Sequence, residues 1–338
     1  MRKLSLLASI VCTAMLTIAC GSQQGPVPPG RDTKTPQYAN PVLDMSMPDP
    51  TVIKADDGHF YLFATENTRN VPIMRSDNLI DWTSLGTAFT DETRPTFVKD
   101  GGIWAPDINK VGDKYVLYYA MSTWGGEWEC GIGRAVSDKP EGPYTDMGKL
   151  FISSEMKTQN SIDPFYIEED SHKYLFWGSF SGIWYTELTD DGLNLKEGMQ
   201  PTLVAGTAYE GVYIHKHEGN YYMFASTGTC CEGLKSTYQT VVGRSESLFG
   251  PYVDRKGEKM LENHHEVLIH KNEQFVGTGH NSEIVTDNKG QDWVFYHAFL
   301  ASDPDRGRVL MLDPITWKDG WPVVKDQVPA IKAAKPSF

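Results

Sequence analysis

The sequence predicts an all-β protein, a five-bladed β-propeller with a four-stranded antiparallel sheet in each blade. Three observations favour this fold class. One short phrase recurs five times at intervals of roughly 50–70 residues, strand signals dominate, and no amphipathic helix longer than two turns is evident. Each copy has an opening residue, a short apolar run, a polar turn and an aromatic strand. The five opening residues are Asp49, Ala105, Asp163, Glu210 and His280.

The aromatic strand of each copy follows a turn that contains Gly, Asp or Asn, a pattern typical of β-hairpins. In three copies a further apolar stretch and a polar turn follow, which predicts a third and a fourth strand. Four strands in each of five blades account for the length of the chain. The predicted aromatic strands are His59 to Ala64, Lys114 to Ala120, Lys173 to Gly178, Asn220 to Ser226 and Asp292 to His297.

Residues 1–20 have the features of a lipoprotein-type signal peptide. Arg2 and Lys3 give a basic start, and the apolar stretch from Leu4 to Ile18 is short for a membrane span. Cys20 directly follows, where bacterial lipoproteins carry their lipid-accepting cysteine. We therefore expect a protein anchored by lipid in the bacterial cell envelope, on its periplasmic or outer-membrane face; ordinary secretion is the alternative.

Residues 21–40 are rich in Gly, Ser, Gln, Pro and Thr and predict a flexible linker. Residues 41–338 contain no second linker, so we expect them to form one folded domain. We expect this domain to be a monomer. The net charge of −13 disfavours nucleic acid as a partner, because phosphate binding needs a basic surface. The chain also contains nine Trp, sixteen Tyr and fourteen Phe, whose flat apolar faces suit sugar rings. In an acidic chain they favour a neutral carbohydrate as the ligand.

Three cysteines lie outside the leader, namely Cys130, Cys230 and Cys231. They show no CxxC or Cys/His ligand spacing, which argues against a zinc site. Two alternatives remain open for them. One of the adjacent cysteines bridges Cys130 in an oxidising compartment, or all three are small buried residues.

The opening residues supply three carboxyl groups, those of Asp49, Asp163 and Glu210. Radial symmetry would bring them to one central pocket, although they are far apart in sequence. Hydrolysis of a glycosidic bond needs one carboxyl that donates a proton and another that activates water, about 6.5–9.5 Å apart in an inverting enzyme. The alternatives are structural: Asp-Pro pairs often start turns, and His280 suits a buried core position. Asp107 follows a proline and is expected to face the blade interior.

The chain resembles glycoside hydrolase family 43, the five-bladed propeller glycosidases, over roughly residues 41 to 324. The resemblance implies that Asp49 is the general base, that Glu210 is the general acid, and that Asp163 tunes the pKa of the acid. It also implies single-displacement, inverting hydrolysis. The matching motifs are Pro48-Asp49-Pro50, Trp104-Ala105-Pro106-Asp107-Ile108, Asn160-Ser161-Ile162-Asp163-Pro164, Glu210-Gly211 and Gly279-His280.

Within that family the arabinan-cleaving members are the most similar. The resemblance implies an endo-acting hydrolase of α-1,5-linked L-arabinan, a plant cell-wall polysaccharide. An exo-acting α-L-arabinofuranosidase or β-xylosidase and, from another class, a non-catalytic carbohydrate-binding propeller are the alternatives. The motifs are Cys230-Cys231-Glu232-Gly233, Ser236-Thr237-Tyr238, Val242-Gly243-Arg244-Ser245, Gly250-Pro251-Tyr252 and Trp317-Lys318-Asp319-Gly320-Trp321-Pro322.

The same resemblance implies a calcium ion on the propeller axis, held through His280 and water molecules. Three further residues are candidates for binding substrate. Trp104 offers a face for sugar stacking, Asn160 offers hydrogen bonds to a hydroxyl group, and Ser179 lies in a loop similar to one near the family's substrate site.

Overall fold

β-strands form nearly all the regular structure of residues 36–338, the part of the chain that the computed structural model describes. Two strands precede the first copy of the repeated phrase, and three separate four-stranded antiparallel sheets follow them. The strands up to the third sheet are β1 (Gln37–Ala39), β2 (Leu43–Ser46), β3 (Thr51–Lys54), β4 (Phe60–Phe63), β5 (Pro72–Ser76), β6 (Trp82–Thr87), β7 (Gly102–Val111), β8 (Lys114–Ser122), β9 (Gly131–Ser137), β10 (Thr145–Ile152), β11 (Phe165–Glu169), β12 (His172–Trp177), β13 (Ile183–Glu187) and β14 (Thr202–Ala205).

The last two copies of the phrase share one ten-stranded sheet. Nine of its strands follow in chain order, and the tenth is β2. The nine are β15 (Glu210–His217), β16 (Asn220–Thr227), β17 (Gln239–Ser245), β18 (Glu266–Ile269), β19 (Phe275–Gly279), β20 (Ile284–Thr286), β21 (Asp292–Leu300), β22 (Asp303–Lys318) and β23 (Trp321–Val323). The last strand, β24 (Lys332–Ala334), forms a separate two-stranded sheet with β1. We define repeats one to five as β3–β6, β7–β10, β11–β14, β15–β18 and β20–β23.

Helices are few and short in the described residues. One α-helix has four residues, α1 (Ser153–Met156), and three 3₁₀ segments span Gly233–Lys235, Met260–Glu262 and Lys325–Gln327. Among residues 36–338, no helix has the length and apolar character needed to cross a membrane. The all-β prediction is confirmed, and each of the five predicted aromatic strands is found as the second strand of its repeat.

The hydrophobic core consists of clusters between neighbouring repeats, because successive side chains of a strand point to opposite faces of its sheet. On β8, for example, Leu117 packs with Phe63 of repeat one, whereas Tyr118 packs with Trp177 of repeat three. The same alternation connects repeat three with four, four with five, and five with one. The pairs that represent these contacts are Phe176 with Met223, Phe224 with Tyr296, and Phe295 with Leu62.

The two ends of the described chain are joined by hydrogen-bonded strands. β2 pairs antiparallel with β22, and β1 pairs antiparallel with β24. Tyr38 is buried and donates a hydrogen bond to the Leu312 carbonyl, and the Asn40 amide donates to the Leu312 and Ala330 carbonyls. The predicted linker boundary at residue 40 is therefore wrong, since residues 37–40 belong to the folded domain. The predicted signal peptide and Cys20 lie outside the described residues.

Candidate active site

A left-handed residue occurs at the same place in every repeat, just before or within its first strand. Four of the five are not glycine, although this conformation costs such residues about 1–2 kcal/mol. Backbone strain of this kind is common at functional sites, where the surrounding structure maintains it. The five residues are Asp49 (φ 53°), Ala105 (φ 38°), Asp163 (φ 58°), Gly211 (φ 60°) and His280 (φ 50°).

The side chains of four opening residues, each from a different repeat, line one cavity of about 280 Å³. Its lining includes every residue that the sequence proposed for catalysis, substrate binding or metal binding, although these residues come from all five repeats. Asp107 is not among the lining residues, as expected. The proposed residues are Asp49, Trp104, Asn160, Asp163, Ser179, Glu210 and His280.

Asp49 is held as a buried carboxylate. Its Oδ1 accepts a hydrogen bond from Arg308 Nη1 at 2.7 Å, and its Oδ2 accepts one from the Thr65 hydroxyl at 2.6 Å. Burial by itself would raise the pKa of Asp49, but the Arg308 charge, together with His280 and His297, lowers it well below the ordinary value. Asp49 is therefore ionised at neutral pH and able to accept a proton.

The pKa of Glu210 is shifted in the opposite direction from that of Asp49. Its Oε2 accepts a hydrogen bond from the Ser179 hydroxyl at 2.6 Å. Burial raises the pKa of Glu210, and the negative charge of Asp49 raises it further, against the lowering effect of Ser179 and Tyr238. The Tyr238 hydroxyl is close enough to act on this charge, yet it forms no hydrogen bond of ordinary geometry. One cavity thus contains a carboxylate and a carboxyl group that retains its proton to higher pH.

Asp163 adds a third buried carboxyl group. Its Oδ2 accepts a hydrogen bond from the backbone N–H of Gly211, the residue after Glu210, at 3.1 Å. Burial raises the pKa of Asp163 well above the ordinary value, and the charges of Glu210 and Asp49 raise it further. Asp163 and Glu210 therefore compete for protons, and a proton shared by such a pair is bound more tightly than one on an isolated carboxyl.

The three predicted substrate-binding residues have different contacts. The Asn160 amide donates a hydrogen bond to the Ser179 carbonyl at 3.0 Å, while the Ser179 hydroxyl is occupied by Glu210. These two side chains therefore orient Glu210. Trp104 packs against Trp124 with ring centroids 5.5 Å apart, and both rings line the cavity with Phe180. They provide apolar faces next to the carboxyl groups.

Sequence reasoning did not identify Arg308, Thr65 or His297, which fix the state of Asp49. The backbone N–H of Asp49 donates to His297 Nδ1 at 3.1 Å. Arg308 and His297 lie in the paired strands β22 and β21, which no opening motif marks. An arginine in an otherwise apolar strand, such as Arg308 before Val309-Leu310-Met311, is the signal that would have indicated it.

The cysteine expectations need correction. Cys230 and Cys231 form a disulfide with each other, and Cys130 is a free, buried thiol. Of the two alternatives, the bridge to Cys130 is therefore wrong, and the description as small buried residues holds for Cys130 but not for the half-buried Cys230 and the exposed Cys231. Cys130 lies 3.2 Å from the Ser153 hydroxyl, whereas both bonded cysteines line the cavity. A compact apolar sulfur pair is thus part of the cavity wall.

A second, much smaller cavity of about 20 Å³ is also lined by Asp163 and His280. A volume of this size accommodates one water molecule or one ion. Asp107, Asn281 and Glu283 line it too, and the Asn281 Oδ1 is buried without a hydrogen-bond partner among the described residues. Burial and the neighbouring Glu283 raise the pKa of Asp107 well above its ordinary value. These oxygen atoms fit a hard cation such as calcium.

Cleavage of an O-glycosyl bond requires a proton donor and a base that face the same substrate. One cavity here contains a carboxyl group with a raised pKa, that of Glu210, and a carboxylate with a lowered pKa, that of Asp49. The fold and the site together therefore define a glycosidase. The chain belongs to the glycosyl hydrolases family 43, whose family model matches residues 38–322.

Individual relatives are in agreement with this family assignment. An extracellular endo-α-(1→5)-L-arabinanase of Bacillus subtilis is 34% identical over 292 residues, which cover 81% of this chain and 86% of the relative. An extracellular exo-α-(1→5)-L-arabinofuranosidase of Cellvibrio japonicus is 31% identical, with 82% and 86% covered. The solved structure of a Cellvibrio cellulosa α-L-arabinanase complexed with arabinohexaose has a TM-score of 0.76 and 30% identity, and covers 83% of this chain and 96% of that one.

Proposed function

We propose that this glycosidase hydrolyses α-1,5-linked L-arabinan by an inverting, endo-acting mechanism. The observation that carries the chemistry is the pair of carboxyl groups in opposite states: Arg308 lowers the pKa of Asp49, whereas burial raises the pKa of Glu210. Family membership and this pair favour an enzyme over a non-catalytic sugar-binding module.

The mechanism assigns one proton transfer to each carboxyl group. Glu210 donates its proton to the glycosidic oxygen as the bond to the anomeric carbon breaks. Asp49 takes a proton from a water molecule, whose oxygen attacks the same carbon from the opposite face and inverts its configuration. Asp163 contacts the backbone beside Glu210 and favours the protonated form of that acid by like-charge repulsion.

The substrate assignment rests on the arabinan-cleaving relatives and on the lining of the cavity. Trp104, Trp124 and Phe180 supply flat apolar faces, and the carboxyl groups supply hydrogen-bond partners for hydroxyl groups. Endo action follows the more similar of the two named relatives. Exo action is the second candidate, since the exo-acting relative is similar over a comparable length.

Product analysis on linear α-1,5-arabinan separates these two modes. We expect solution viscosity to fall before much reducing sugar appears, with a ladder of oligosaccharides as early products. A Glu210→Gln preparation of the same protein provides the blank for contaminating activity. Arabinose alone from the earliest time point would replace the endo assignment with the exo one, and no turnover of any arabinan would contradict the proposed substrate.

We also infer that the five repeats form five blades of a propeller. The cyclic order of the core clusters, the equivalent left-handed residues and the β2–β22 pairing support this arrangement. The extracellular relatives favour export of the enzyme. The lipid anchor on Cys20 and the monomeric state remain predictions.

We propose that the small cavity beneath the active site binds calcium, through His280, Asn281 and water molecules. The unpartnered Asn281 Oδ1 supports this assignment. Calcium bound there would supply positive charge close to Asp163, Asp107 and Glu283.

Removal of this ion is expected to lower the melting temperature by about 5 °C or more, because a ligand that binds only the folded state stabilises it. The measurement is thermal unfolding after EDTA treatment and dialysis, with calcium or magnesium added back. Calcium should restore the wild type and have a much smaller effect on Asn281→Ala. Equal restoration of wild type and variant would place the ion elsewhere.

A further inference from the structure

A second cluster of metal-ligating side chains lies away from the active site. Strand β15 begins at Glu210 in the cavity and ends at His217, so at 3.3 Å per residue its two ends are roughly 23 Å apart. His215 and His217 point to the same side of this strand because side chains alternate. They meet Asp292, the first residue of β21 in the neighbouring repeat.

We propose that His215, His217 and Asp292 form a binding site for a transition-metal ion, zinc in particular. One ligand atom from each residue lies within 4.8 Å of the others, a spacing that a single ion can span. Two nitrogens and one carboxylate oxygen, with one position left for water, are a ligand set that zinc accepts.

The two histidine side chains lie side by side, with ring centroids 6.3 Å apart and an interplanar angle of 25°. Within residues 36–338 the two imidazole rings are held by aromatic contacts and not by hydrogen bonds. The His217 ring stacks on Trp317 with centroids 3.7 Å apart and an interplanar angle of 4°.

Asp292 is oriented by two hydrogen bonds that leave lone pairs free on both oxygens. The Thr286 hydroxyl donates to its Oδ1 at 2.5 Å, and Trp317 Nε1 donates to its Oδ2 at 2.7 Å. Hydrogen bonds to a ligating carboxylate are a regular feature of metal sites, because they fix the direction of the ligand. Trp317 thus contacts Asp292 and His217, and the centroid of its ring lies 6.0 Å from that of His215.

The expectation that this chain lacks a zinc site rested on the absence of CxxC and Cys/His ligand spacing around its cysteines. The histidine pair is separated by one residue and its carboxylate lies far along the chain, so no local motif marks the trio. A second cluster, Asp254 with Glu258 and His264, is a weaker candidate. The Asp254 Oδ1 there accepts backbone N–H groups of Lys256 and Glu258 and stabilises a turn.

The position of the proposed site indicates a structural role. His215 and His217 belong to repeat four, whereas Asp292 and Trp317 belong to repeat five. A bound ion would therefore link the two repeats at the end of β15 remote from the catalytic carboxyl groups. We expect zinc to raise the thermal stability of the enzyme and to leave hydrolysis of arabinan unchanged.

The test is a zinc titration of the purified full chain after treatment with chelator, followed by calorimetry and by thermal unfolding. Cobalt substitution adds a spectroscopic reading of the ligands. We expect one zinc per chain and a higher melting temperature. His217→Gln and Asp292→Asn should each weaken binding by about 100-fold or more, since loss of an outer hydrogen-bond partner alone costs 10–100-fold.

The matched control is His264→Gln, which removes a histidine of the other cluster and should bind zinc like the wild type. Calorimetry reads binding directly, so a variant that is less stable still gives an answer if it remains folded. His215→Gln provides an independent third variant. Absence of stoichiometric binding to the wild type, or unchanged affinity in His215→Gln and His217→Gln, would overturn the proposal.

Discussion

Replacement of Glu210 by glutamine is expected to lower the rate of arabinan hydrolysis by about 10²–10⁴-fold, the usual contribution of a general acid. Glutamine keeps the size of the side chain and accepts the hydrogen bond from Ser179, so the fold and the cavity should survive. What is lost is the proton that the departing sugar oxygen requires. The measurement is kcat on linear arabino-oligosaccharides, with binding of the same ligands measured by calorimetry.

The substrate's leaving group provides the control for this prediction. In a dinitrophenyl glycoside of an arabino-oligosaccharide, the dinitrophenolate leaves without being protonated. Glu210→Gln should therefore hydrolyse this substrate at most of the wild-type rate. Equal losses on the natural and the activated substrate would assign the acid to another residue.

A second variant, Asp163→Asn, tests whether Asp163 tunes the pKa of Glu210. Wild-type activity should fall as pH rises through the raised pKa of Glu210, because the ionised acid has no proton to donate. Removal of the Asp163 carboxyl lowers that pKa, so the same fall should occur at lower pH, with activity below it retained to within about tenfold. A pH profile that does not move would refute the tuning role of Asp163.

Asp49→Asn is expected to lower turnover by about 10²–10⁴-fold on every substrate, including the dinitrophenyl glycoside. The reason is that water must be activated whichever leaving group departs. The contrast with Glu210→Gln therefore distinguishes the base from the acid in a single pair of assays. Full activity of Asp49→Asn on the activated substrate would contradict its role as base.

Asp49→Asn also leaves the buried Arg308 without its charged partner, and disruption of a buried ion pair commonly costs about 3–5 kcal/mol of stability. Thermal unfolding and oligosaccharide binding should therefore accompany the kinetics. Arg308→Met provides a comparison: it removes the charge that lowers the Asp49 pKa, so the acid-side loss of activity should move to higher pH.

Much of the fold could be read from the sequence because the aromatic strands repeat. Each aromatic strand was placed to within a few residues; the strand predicted over Asn220 to Ser226, for example, spans Asn220–Thr227. Strand Ile183–Glu187 was missed, since the third copy is not among the three in which a further apolar stretch and a polar turn follow the aromatic strand. The pairing of β1 with β24 and of β2 with β22 could not be predicted either, because it depends on long-range contacts that no local pattern encodes.

The candidate site could be predicted as far as the opening residues, which share a position in every repeat. The residues that set their charge could not. Arg308 and His297 act on Asp49 from strands that contain no opening residue, and Thr65 acts from a loop. The disulfide between Cys230 and Cys231 was missed because adjacent cysteines were not expected to bond to each other.

The pairing of the first described strands with the last repeat affects how the protein folds. Tyr38 and Leu312, which are joined by a hydrogen bond, are 274 residues apart in the chain. Contacts of such long range form slowly, because a very large loop must close before any of them is made. Until then the edge of β22 is an open template for other chains. Aggregation during refolding should therefore depend on protein concentration. Removal of residues 36–46, which include β1 and β2, should leave the edge of β22 open and the protein prone to aggregation at all times.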